Sequence, residues 1–177
     1  MTAKYKIDFL AINNSLMKMI HTLGTNERFL KYARLMIESP LSSNKSIFEL
    51  KANLISDTGL YNGLFNLQPS SDEVVIEERV YIFAYPLRPS EQMFQTPTNM
   101  TLYVFDIIVP NQYYLCDHGT KQRAMMIAHE MAQTLDGERL TGIGEIKFYD
   151  FDMGIVKNTQ KFSALSLVIG VNHATIN

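Results

Sequence analysis

Met100-Thr101-Leu102-Tyr103-Val104-Phe105-Asp106-Ile107-Ile108-Val109 is the stretch whose reading decides the fold. Asp106 is its one charge, and apolar side chains fall on both alternating faces. A strand of that composition is expected in the middle of a sheet, covered on both sides. Pro110 closes it. On the C-terminal side, Tyr113–Asp117 reads as a short strand or extended lead-in, and Gly119-Thr120 opens a helix over Lys121–Leu135. Its apolar positions, Ala124, Met125, Ile127, Ala128, Met131, Ala132 and Leu135, keep the helical period. Arg123, His129, Glu130 and Gln133 fall between them, and Asp136-Gly137 ends the run. Two more strands follow, Gly142–Phe151 and Phe162–Val171. On the N-terminal side, Arg79–Tyr85 reads as a strand stopped by Pro86, and Leu87–Asn99 as a proline-bearing loop.

The first 56 residues have a different period. Leu10, Ile12, Leu16, Met17, Met19, Ile20 and Leu23 mark a helix over Asp8–Leu23, ended by Gly24. Thr25 is placed to cap a second helix reaching about Ser39, where Pro40 stops it. Ser46 and Glu49 form the signature of a capping box for a third helix, Ile47–Ile55. Turn formers crowd residues 57–78. The expected fold is therefore α+β: N-terminal helices (1–56), a connecting loop (57–78) and a β-β-α-β-β core (79–177), in a single compact domain. The core has one helix packed on a mainly antiparallel or mixed sheet.

Composition narrows the function classes. The chain has 177 residues, a net charge of -2 and a hydrophobic fraction of 46%, while charged residues make up only 19%. An average soluble domain carries about 25% charged residues, so part of this surface is expected to be covered by protein. No basic stripe marks a nucleic-acid binder. No apolar run approaches the ~20 residues that span a bilayer, and residues 1–15 lack the pattern of a secretory signal. Cys116, the single cysteine, has no internal disulfide partner.

Charge is uneven along the chain. Residues 1–60 hold eight Lys/Arg against five Asp/Glu, and residues 61–117 hold two against seven. The acidic excess centres on Asp72, Glu73, Glu77 and Glu78, with Glu91 in the next loop. It reads as a solvated loop, or as a lumen or interface whose like charge keeps DNA from sticking.

The chemistry-bearing residues do not assemble into an enzyme signature. His129-Glu130 with Gln133 is one residue short of the two-histidine helical zinc pattern. Cys116, Asp117 and His118 lack the paired spacing of a closed zinc site, and free Cys is ordinarily a small core residue. Asp150 and Asp152 share one face of a strand without a third carboxylate nearby. Gly142-Ile143-Gly144 opens a strand and so is not a dinucleotide loop. No catalytic residue, metal ligand or cofactor is expected.

One succession of elements is familiar. Phe105-Asp106-Ile107-Ile108-Val109 leads through a His-bearing turn to Lys121-Gln122-Arg123 and the helix ending at Leu135. Asp136-Gly137-Glu138-Arg139 and Leu140-Thr141-Gly142-Ile143-Gly144 run into strand Glu145–Phe151, and a last strand follows Asn158. Over residues 79–173 this order resembles the tail terminator, or tail completion, proteins of tailed bacteriophages. The resemblance implies a small α+β neck protein in a ring, usually six-fold, between head connector and tail tube. It implies as partners further copies of the chain, head connector or adaptor proteins, and a tail tube or tail hub protein. Genomic DNA would pass through without specific binding, and no membrane is involved. The protein would be made in the host bacterial cytoplasm and reside in the neck or tail of the virion. The N-terminal helices and the loops at 57–78 and 86–99 make this chain longer than the simpler members.

A ring subunit needs edges that meet its neighbours. Arg79–Tyr85 and Phe162–Val171 are the strands expected to supply them, with Arg79, Tyr81, Phe83 and Phe162 as interface residues. The alternatives are another phage assembly part, such as a head-completion adaptor or tail-hub ring protein, and a metal-dependent hydrolase built on His129 and Glu130.

Overall fold

A computed structural model describes residues 9–57, 60–69, 78–87, 100–140, 144–155 and 161–172. Helices α1 (Phe9–Leu23), α2 (Glu27–Arg34) and α3 (Ile47–Lys51) precede a mixed sheet, with α4 (Arg123–Leu135) inserted between its strands. The strands are β1 (Phe65–Asn66), β2 (Tyr81–Leu87), β3 (Met100–Pro110), β6 (Arg139–Leu140), β7 (Gly144–Ile155) and β8 (Phe162–Asn172). β4 (Leu115–Cys116) and β5 (Lys121–Gln122) form a separate small hairpin. Spatial order in the main sheet is β1-β2-β3-β8-β7-β6. β1 runs parallel to β2, and the other neighbours are antiparallel. The expected α+β architecture and its β-β-α-β-β order are present as β2-β3-α4-β7-β8.

β3 is central, as its apolar composition requires: every residue from Leu102 to Pro110 is buried. Register divides its side chains between two layers. Phe105 lies opposite Ala84 and Leu167, and Ile107 opposite Ile82 and Leu165. This face meets α1, α2 and α4 in the main core, with Met19, Ile20, Phe29, Leu30, Ile127 and Met131. On the other face Ile108 joins Tyr81, Phe83 and Phe162 in a smaller buried cluster.

Several boundaries differ from expectation, each for a local reason. Asn26, and not Thr25, caps α2: its Oδ1 accepts from the Phe29 amide at 2.9 Å. The Thr25 hydroxyl instead donates back to the Thr22 carbonyl at 2.7 Å. α2 stops at Arg34, well before Ser39, because the following carbonyls are bonded by Arg123. α3 has its complete capping box but ends at Lys51, and the chain then turns to run beside β1. β1 itself lies in the stretch read as a connecting loop. Lys121-Gln122 is hairpin strand, so α4 begins at Arg123. β2 continues through Pro86 to Leu87. Among the described residues β1 flanks only Ile82 and Phe83, and proline is tolerated on such an edge.

The placement of the last strand is the main correction. Phe162–Val171 was expected as an open edge, yet β8 pairs along its length with β3 on one side and β7 on the other. Its apolar positions on the helix-facing side pair with those of β3, and only the centre of the sheet buries both. Among the described residues, β7 beyond Glu145 has no strand on its outer side.

Candidate functional site

Arg123 is the most unusual side chain in the molecule, an arginine with 0% exposure. Its guanidinium makes four hydrogen bonds to carbonyl oxygens. Nη1 donates to Tyr32 at 3.0 Å and Leu35 at 2.8 Å, Nη2 to Ile37 at 2.6 Å, and Nε to Tyr113 at 2.8 Å. Burial lowers its pKa, a cost offset by the nearby Asp117 and by these acceptors. The planar fork of arginine suits several acceptors at once, as an ammonium does not. Arg123 therefore ties α4 to the end of α2 and to the turn before β4.

Beside it, the Cys116-Asp117-His118 stretch is structural in its contacts. Cys116 is buried, and that burial, with Asp117 adding to it, raises its thiol pKa, the opposite of what a nucleophile requires. Asp117 accepts from the Tyr32 hydroxyl at 2.9 Å and pairs with Lys121 at 3.0 Å. Burial alone would raise its pKa, but Lys121 and Tyr32 hold the carboxyl below its usual range. His118 is exposed and turned toward Glu38 at 3.3 Å. Asp117, His118 and Gly119 all have positive φ (51°, 59° and 75°), a tight left-handed hairpin tip in which glycine and short polar side chains are the favoured residues.

His129 and Glu130 point to different environments. His129 is exposed, whereas Glu130 is buried against α2. Arg28 Nε reaches Glu130 Oε1 at 2.8 Å, and Asn26 Nδ2 donates to the Thr134 hydroxyl at 2.6 Å alongside. Arg123 and Glu130 fall between the apolar positions of α4 in sequence, yet both are buried on the inner face with Ile127. Spacing holds the signal, because positions 123, 127 and 130 lie on one side of a helix. Residue type concealed it.

The candidate surface residues divide. Asp72, Glu73, Glu77 and Glu91 lie outside the described residues. Glu78 is exposed and accepts from Gln112 Nε2. Arg79 donates to the Asn62 carbonyl at 3.2 Å, with its guanidinium 4.7 Å from the centre of the Tyr81 ring. Tyr81, Phe83 and Phe162, expected at an interface, are buried together in the smaller cluster. Tyr85 stands at its rim, donating to Asp106 Oδ2 at 3.0 Å, while the Ser166 hydroxyl donates to Oδ1 at 2.5 Å.

The exposed apolar surface lies elsewhere. β6 covers only the first two residues of β7, and Tyr149, Phe151 and Met153 beyond it are exposed. A register shift after Phe148 makes Tyr149 a bulge. Its ring lies against Gly170, where a Cβ would collide with it. Asp150 and Asp152 lie opposite Val168 and Ser166, on the face away from the helices. No group of three or more His, Cys, Asp or Glu able to hold a metal occurs among the described residues. None of the described helices is long and apolar enough to cross a membrane.

No match was found among curated proteins. The YomW family model matches residues 13–171, spanning most of α1, the other helices and nearly the whole sheet. YomW is a phage-like family, of a Bacillus prophage, and this chain belongs to it.

Proposed function

We propose that this chain is a structural subunit of a phage virion, a tail terminator or neck-ring protein that joins the head connector to the tail and surrounds the DNA path. One observation carries the reading. Asp117, Arg123 and Glu130 are engaged in ties between elements and Cys116 is buried in the core, while the outer half of β7 exposes large apolar residues. Such a molecule is equipped to meet other protein surfaces. Membership of a phage-like family agrees with this role, as does the β2-β3-α4-β7-β8 order.

In this role the chain performs no catalysis and needs no cofactor. It contacts further copies of itself, a head connector or adaptor protein, and a tail tube or hub protein. The acidic segment Asp72–Glu78 borders the channel and repels phosphates, so DNA slides past without being held. Two experiments on phage particles test this. Removing the protein should leave filled heads and tails unjoined; normally joined, infectious particles would contradict the role. Changing Glu73, Glu77 and Glu78 to Lys should slow genome ejection most at low salt, and wild-type ejection at all salt concentrations would contradict the channel assignment.

A further inference from the structure

We propose that residues 4–7 of one copy pair as an added strand along the outer side of β7 of the next, so that copies join head to tail. The inference rests on the neck-ring reading for its need of a neighbour, and it names the contact that links one subunit to another.

Among the described residues no strand lies outside β7 beyond Glu145, although β7 runs on to Ile155. Its side chains there alternate between the two faces of the sheet. Phe151 and Met153 lie opposite Leu167 and Leu165, on the side of the main core, and are 58% and 42% exposed. Asp150 and Asp152 lie opposite Val168 and Ser166, on the other side, and both are exposed. Neither carboxylate is in an ion pair among the described residues, and Asp150 Oδ1 accepts from the Phe151 amide at 2.8 Å. The matching strand therefore has apolar residues on one face and cations on the other, and an uncovered edge is a template for it.

Lys4-Tyr5-Lys6-Ile7 supplies that alternation. These residues lie outside the described ones, shortly before α1, whose first two residues, Phe9 and Leu10, are exposed. Either strand direction that sets both lysines against both aspartates places Tyr5 opposite Phe151. In the parallel direction Ile7 also falls opposite Met153. Opposite charges and aromatic pairs facing each other across strands are favourable, whereas two β7 edges paired antiparallel about Phe151 would set Asp150 against Asp152. A second copy supplies the strand because the chain's own segment does not reach. α1 packs on β2, and its Ile12 carbonyl accepts from the Tyr103 hydroxyl of β3. The outer side of β7 is three strand spacings from β3, about 14 Å. Ile7 is two residues before Phe9, about 7 Å of extended chain. The contact is heterologous, the class that generates rings when the rotation closes.

Charge reversal and cross-linking test the pairing. Lys4→Glu with Lys6→Glu, and separately Asp150→Lys with Asp152→Lys, should each weaken self-association of the full chain by at least about tenfold, read by sedimentation. An equimolar mixture of the two variants should assemble again, because alternating copies match charge at every contact. A chain carrying Tyr5→Cys and Phe151→Cys should cross-link on oxidation into a ladder of chain multiples, with Cys116 buried away from the reaction. Cross-linking within one chain, or none, overturns the pairing. So does a mixture that stays dissociated, or a wild-type chain that is monomeric at high concentration. Assembly of either charge variant as in wild type refutes the pairing but leaves the neck-ring reading standing. Charge-dependent assembly of a chain absent from purified particles refutes the neck-ring reading alone.

Discussion

Arg123 Nη1 donates to the Leu35 carbonyl at 2.8 Å across 88 positions of sequence, and that bond sets where the second helix ends. The same nitrogen binds the Tyr32 carbonyl, while Nη2 takes that of Ile37. Removing the guanidinium would leave several buried acceptors unsatisfied, each costing about 1–3 kcal/mol. Arg123→Leu should therefore lower unfolding stability by at least about 3 kcal/mol in denaturant titration. Arg123→Lys should rescue little of it, since an ammonium cannot reach all four carbonyls.

Glu130 and His129 are neighbours in sequence with different stakes. Glu130→Ala removes the buried acceptor of Arg28 and should cost about 1–3 kcal/mol. His129→Ala, at an exposed position, should stay within about 0.5 kcal/mol. Equal effects in chemical denaturation would contradict the assignment of Glu130 to the inner face.

Asp117 gives a signed pH dependence. Its folded pKa lies below the ordinary 3.8, held down by Lys121 and Tyr32 against the effect of burial. The stability it contributes is present above the unfolded value and is lost as pH falls through the folded one. Asp117→Asn, which tolerates the same positive φ, should be less stable than wild type at neutral pH. The difference should shrink as the pH is lowered below 3.8. A gap independent of pH would contradict it.

Tyr103 behaves in the opposite sense. Burial pushes its pKa up to about 12, and its hydroxyl donates to the Ile12 carbonyl at 2.9 Å, joining β3 to α1. The fold favours the neutral phenol, so this stabilisation is complete below pH 10 and is lost as pH climbs toward 12. Tyr103→Phe should remove one late-ionising phenol from the ultraviolet titration and cost about 1 kcal/mol at neutral pH.

The elements legible in the sequence are those whose cause is local. β3 declares itself by apolar side chains on both faces, α1 by its period, and α3 by Ser46 and Glu49. What escaped depends on distant partners. α2 ends early because Arg123 binds its carbonyls from far along the chain, and β1 exists because β2 lies beside it. Strand order was the larger loss: Phe162–Val171 carries no local mark of being central, and only its pairing with both β3 and β7 makes it so. For the candidate surfaces, Tyr81, Phe83 and Phe162 have the composition of an interface but lie in a second core. The exposed half of β7 was legible as a strand and not as an edge.

The central claim is a structural role at the joint between head and tail. Imaging purified particles in which the protein carries an electron-dense label tests it most directly. The account predicts label confined to the neck, in a closed ring of identical copies. Label elsewhere on the particle, or particles that lack the protein altogether, would contradict it.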